Sequence, residues 1–236
     1  MCLLATIASA AGSINAQTLN STVDWDIQST ASGTAPYTVK SPLTATGSAW
    51  DSHLDTTWFS RTLENTYVVA FQLPTLAAGQ QFGTASAIIQ MYNNAPSGGG
   101  PGVPEEVDLY GLNRADASPN AVRSDFYLGA TPDPTATLLQ VGFIPAVQIN
   151  ATPTPFTSSD ISSWLNAEYA GGLNAGDYVY LRLSAEVAPS QMDVLTAESG
   201  NTPIINYTIE TVPEPTTIAM VSGGLGLLVV LRRRKS

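Results

Sequence analysis

The chain is nearly without cysteine. Its one thiol, Cys2, stands beside the first residue, so the rest can form no disulfide and carries no thiolate for catalysis or zinc binding. Cys2 is not read as a lipoprotein anchor, because position 2 leaves no room for the small-residue box before it. Histidine is equally scarce. His53 stands alone, and no Gly-x-Ser-x-Gly elbow offers it a nucleophile. Neither a phosphate loop nor a dinucleotide fingerprint is present. Basic residues number nine, and four of them cluster at the C-terminus. Residues 17–212 therefore keep five basic residues against 18 acidic ones, a formal charge of −13. Such a surface repels phosphate backbones, which excludes nucleic acid as a partner. With that many carboxylates some pair is always available, so acid pairs alone carry no case for glycoside cleavage. The expectation is a protein that is not an enzyme.

Apolar runs occur only at the two ends. Leu3–Ala11 is apolar and small, and Ala8-Ser9-Ala10 has the small-x-small form that signal peptidases accept. Residues 1–16 are read as a secretion leader, cut after Ala10 or Ala16. No Lys or Arg occurs before Lys40, so the leader lacks its positive start and the true start is expected upstream of Met1. At the other end, residues 212–236 hold three parts in order: Pro213-Glu214-Pro215, an uncharged run over 216–231, and Arg232, Arg233, Arg234 and Lys235. Sixteen residues span about 24 Å as a helix, short of the roughly 30 Å of a bilayer core. Gly223, Gly224 and Gly226 weaken that helix further. The basic cluster would stop transfer and stay cytoplasmic. The prolines hold the backbone extended just before the span. This order resembles the PEP-CTERM sorting signal. The resemblance implies an exported protein, a transient membrane attachment through 216–231, and an exosortase as processing partner.

The body, 17–211, has short β-prone runs between Ser-, Thr-, Gly- and Pro-rich links. The clearest are 67–73, 85–92, 106–112, 138–144, 177–184 and 203–210. Val179, Leu181 and Leu183 alternate with Tyr178, Tyr180 and Arg182; Ile205, Tyr207 and Ile209 alternate with Ile204, Asn206 and Thr208. Period two with one apolar face means a strand packed on a core. The expected fold is all-β: a jelly-roll-like antiparallel β-sandwich. One segment, 160–169, has helical spacing at Ile161, Trp164, Leu165 and Glu168. Asp160 is placed to cap it and Gly171-Gly172 to end it, with Trp164 in the core. Residues 93–104 read as a flexible hairpin connection, and 130–134 and 151–155 as Pro/Thr turns.

The order of these pieces resembles the DNRLRE family, related to carbohydrate-binding modules. The matching residues are Ala70-Phe71-Gln72-Leu73-Pro74, Ala85–Tyr92, Val107-Asp108-Leu109-Tyr110-Gly111, Asp160–Leu165, Leu181-Arg182-Leu183 and Ser199–Ile205. The family's opening strand is not recognisable in 18–60, and its Ser-Arg-Glu reads Ala197-Glu198-Ser199. The resemblance implies a sandwich with a sugar-binding ancestry.

Two groups could hold a ligand. Trp50, Trp58, Tyr178 and Tyr180, with Arg182 beside them, could stack on the apolar faces of sugar rings. Burial of that face under a helix or loop is the equal alternative. Asp51, His53 and Asp55 would share one face of a strand and could hold a cation. Glu105, Glu106 and Asp108 form a second acidic group, where oxygen ligands would suit Ca²⁺. Solvated acidic segments are the favoured reading of both groups, so no cofactor is expected. The expected role is a non-enzymatic envelope or matrix protein associated with exopolysaccharide. The alternatives are a carbohydrate-binding module with its own glycan and a divergent secreted glycan hydrolase.

Overall fold

The structure, a computed structural model, describes residues 15–29, 37–40, 52–55, 64–95, 106–116, 136–147, 152–185, 191–195 and 200–212. In chain order these form β1 (Ala16–Ser29), β2 (Tyr37–Lys40), β3 (Ser52–Asp55), β4 (Glu64–Gln72), β5 (Gln80–Ala95), β6 (Val107–Asp116), β7 (Ala136–Ile144), β8 (Thr154–Thr157), α1 (Ser162–Ala170), β9 (Tyr178–Ala185), β10 (Gln191–Val194) and β11 (Ile204–Thr211). The protein is mostly antiparallel β with one short helix, a sandwich close to a barrel. The strand path is β3-β10-β5-β11-β1-β4-β9-β6-β7, with β2 added to β1 and β8 to β5.

β1 joins the two sheets. Residues 16–20 pair with β11, whereas 21–29 pair with β4, and the register shifts between Ser21 and Val23. An extra residue at such a shift bends a strand, and here it carries one strand from sheet to sheet. A second irregularity sits at Gly83. Phe82 pairs with Ile209 and Thr84 with Thr208, so Gly83 is the extra residue. It resets the alternation, so that Phe82 and then Ala85, Ala87, Ile89 and Met91 all face inward.

The core follows the alternation. Tyr67, Val69, Phe71 and Leu73 of β4 and its end pack with Val179, Leu181 and Leu183 of β9. Ile205 and Tyr207 of β11 complete the opposite sheet. Tyr67 also donates from its hydroxyl to Asp24 Oδ2 of β1 (2.7 Å), a buried polar pair inside this apolar core. Helix α1 closes one side through Ile161, Trp164 and Leu165. Trp164 is core, as its spacing predicts, and it lies against Gly111 of β6. A Cβ on Gly111 would come within 2.4 Å of the indole, so only glycine fits there.

All six expected strands are present, and three expectations shift. The Pro/Thr turn at 151–155 gives way to β8 from Thr154, which pairs with β5 so that Pro155 faces Gln90. A short added strand tolerates a proline that a central strand would not. The connection expected at 93–104 begins later, because β5 runs to Ala95 and pairs there with β10. The helix starts at Ser162 rather than Asp160. Asp160 Oδ1 still accepts the Ser162 N–H (2.9 Å), and it also accepts Ala85 N–H (3.0 Å), tying the helix start to β5. At the far end Gly172 (φ +111°) turns the chain out of the helix. Gly172 N–H reaches Tyr169 O and Leu173 N–H reaches Glu168 O, the paired bonds of a Schellman stop. Residues 1–14 of the leader expected at 1–16, the jelly-roll connections and the C-terminal span at 216–231 lie outside the described residues, while Ala16, expected to end the leader, is the first residue of β1.

Candidate functional site

Among the described residues a cleft of about 440 Å³ lies at one end of the sandwich. Three separated segments build it: the turn between β4 and β5, helix α1, and the loop from α1 to β9. The turn is held by Gln80 N–H donating to Ala77 O (3.0 Å) and by Ala77 N–H donating to Gln80 Oε1 (2.9 Å). The loop is tied to β4 by Leu73 N–H to Asp177 O (2.8 Å) and Gly176 N–H to Leu73 O (3.0 Å). Tyr169 adds a hydroxyl donation to Pro74 O. Burial, with the nearby Tyr207 and Asp177, pushes the Tyr169 hydroxyl up from 10.0 to about 12, so it stays protonated in ordinary conditions.

The polar lining is four carboxamides: Gln80, Gln81, Asn166 and Asn174. No charged side chain lines it. Each amide has its orientation set by a protein partner. Gln80 Oε1 accepts Ala77 N–H. Gln81 Nε2 donates to Glu210 Oε1 (2.6 Å), and Asn174 Nδ2 to Gly172 O (3.1 Å). Asn166 bridges both backbone groups of Phe82, at 2.9 Å each. Leu76, Leu173 and Tyr169 supply apolar wall. Neutral donors and acceptors beside apolar surface suit a neutral hydroxylated ligand better than a phosphate or a metal. Nothing in the sequence pattern marks this cleft, because its amides lie up to 94 positions apart and each is an ordinary surface residue type.

The structure redistributes the residues expected to bind. Tyr178 is half-buried, whereas Tyr180 and Arg182 are fully buried. Tyr180 packs with Val68, Ala70 and Leu112 in a second apolar cluster on the outer face of the sheet. Arg182 stacks over Tyr110, its neighbour across the strands, 4.6 Å from the ring centre. A covered ring cannot stack on a sugar, so the expectation of an open glycan face at Tyr180 and Arg182 is corrected. Trp50, Asp51 and Trp58 lie outside the described residues. His53 and Asp55 have their backbone in β3, where His53 pairs with Asp193 and Asp55 with Gln191; their side chains lie outside the description. Asp108 is buried and accepts Gly142 N–H (2.8 Å) at an irregularity within β7, where Gly142 has φ +58°. It therefore serves the backbone, while Glu106 beside it is exposed and Glu105 lies outside the described residues. Among the described residues no three His, Cys, Asp or Glu side chains are placed to share a metal ion.

The cleft sits where the domain ends. Val212 donates its N–H to Gly79 O (2.7 Å), and Pro213 follows at once. Residues 211–235 match the PEP-CTERM protein-sorting motif. This match supports an exported protein whose tail is anchored in the membrane until an exosortase processes it and the protein reaches the cell surface. The PEP-CTERM match takes in Pro213, Glu214 and Pro215 and the basic cluster Arg232 to Lys235, all outside the described residues. It leaves the body untouched, and no curated protein matches the chain. Among the described residues no helix is long and apolar enough to cross a membrane.

Proposed function

We propose that the chain is a non-enzymatic envelope protein, delivered through its PEP-CTERM tail and then associated with extracellular polysaccharide. The observation that carries this is the complete tail: Pro213-Glu214-Pro215, an uncharged run and a basic cluster, following one residue after β11, the last described strand. The short, glycine-interrupted run suits a substrate held briefly better than a lasting anchor. Replacing Glu214, Pro213 and Pro215 by alanine should leave a larger, membrane-bound form, seen by immunoblotting of fractionated cells. A variant that migrates and localises as the parent does would end the sorting reading.

A carbohydrate-binding module is the second reading, and the cleft of four amides favours it. Its ligand would be a neutral glycan, since a body of charge −13 repels acidic polymers. A jelly-roll, DNRLRE-like body is part of this reading, on the shared order of segments alone. A glycan array with the full-length chain tests it. Neutral oligosaccharides should bind, and Gln80→Ala with Asn174→Ala should abolish binding; both positions are exposed. A flat array would leave the first reading standing alone.

A further inference from the structure

We propose that, while the tail is still anchored, the domain rests on the lipid surface with one defined end down: the end made by the β4–β5 turn and the α1–β9 loop. This rests on the sorting reading above, and two observations carry it.

The first is the missing spacer. β11 is hydrogen-bonded on both sides, to β5 and to β1, and its last bond pins Val212 to Gly79. The uncharged run begins at Thr216, four residues further on. Even fully extended, those steps reach at most about 14 Å. A domain tethered so briefly from a central strand cannot tumble freely; the end that holds Val212 must face the bilayer.

The second is the position of the other terminus. Ala16, the first residue of β1, pairs with Thr208. Thr208 lies four residues before Val212, about 14 Å along the strand. The chain therefore enters and leaves the described domain at the same end.

The amide cleft, whose Gln80 follows Gly79, lies at this end, so it faces the membrane until the tail is processed.

The test uses the full chain with its tail uncut, in vesicles of phosphatidylethanolamine and phosphatidylglycerol that carry nitroxide-labelled lipid. In a Cys2→Ser background, a single fluorophore is placed through Ala77→Cys, Ala175→Cys or Thr152→Cys, all at exposed positions. Thr152 precedes β8, which pairs with the Met91 end of β5, roughly 35 Å from Gln80. Lipid quenching should be several-fold stronger at positions 77 and 175 than at 152. A flexible Gly/Ser insertion of about ten residues between Val212 and Pro213 should erase the difference. Equal quenching at both ends, stronger quenching at 152, or a difference that survives the insertion overturns the proposal. Failure of the sorting reading looks different: the uncut chain would not stay with the vesicles at all.

Discussion

The two faces of the sheet β1-β4-β9-β6-β7 are built from the same strands and use different chemistry. The inner face of β9 shows Val179, Leu181 and Leu183, and the outer face shows Tyr178, Tyr180 and Arg182. Alternation marks the first as core and leaves the second equally open or covered. In the fold both are covered: Tyr180 and Arg182 are as inaccessible as Leu181. Polar character along a strand therefore reports which face is chemically mixed, and leaves open whether solvent reaches it. The buried guanidinium lies over Tyr110, where an aromatic face favours a desolvated cation.

Tyr180→Ala probes that contrast hardest. If the outer layer is packed as described, the change should cost about 3–5 kcal/mol in chemical denaturation, as for any buried aromatic. A stability unchanged from the parent would mean that the face is open after all. On the inner side, Gly111→Ala sets a methyl against Trp164 and should cost about 1–3 kcal/mol through overpacking; an unchanged midpoint would show that the helix gives way there. Smaller still is Asp160→Ala, which removes the acceptor joining α1 to β5 and should cost about 1 kcal/mol.

Two pH effects extend the series. Burial pushes the Asp160 carboxyl up, but hydrogen bonds from Ala85 and Ser162 outweigh this and hold it below its ordinary 3.8. Its stabilisation is thus present above pH 3.8 and lost as the pH falls below it, and Asp160→Asn should flatten that loss in acid denaturation. Tyr169 has the opposite sign. Its hydroxyl is raised from 10.0 to about 12, so its contribution is complete below pH 10 and lost as the pH rises towards 12. Tyr169→Phe should remove that alkaline slope in pH-dependent melting; a slope that persists would place it elsewhere.

Legibility differed by element. Strands β4, β5, β6, β7, β9 and β11 were readable because apolar residues recur at every second position. β1 was not, although it is central. Its sequence, AQTLNSTVDWDIQS, is largely polar, and its bend between Ser21 and Val23 breaks the period. Asp24 escaped for the same reason: a carboxylate reads as surface, and only the Tyr67 hydroxyl explains its burial. The helix was readable from Ile161, Trp164 and Leu165, while its tie to β5 through Asp160 was not. The amide cleft had no signature, since Gln80, Gln81, Asn166 and Asn174 are neighbours only in space.

By itself the sequence determined the sorting tail and the alternating core. A processing enzyme and a bilayer read residues in covalent order, and period two is a property of an extended backbone. Tertiary structure alone decided which faces are covered, where the amides converge and which end of the domain holds both termini. Those depend on pairings between residues as distant as Ala16 and Thr208. Only the assembled sheet sets such distances.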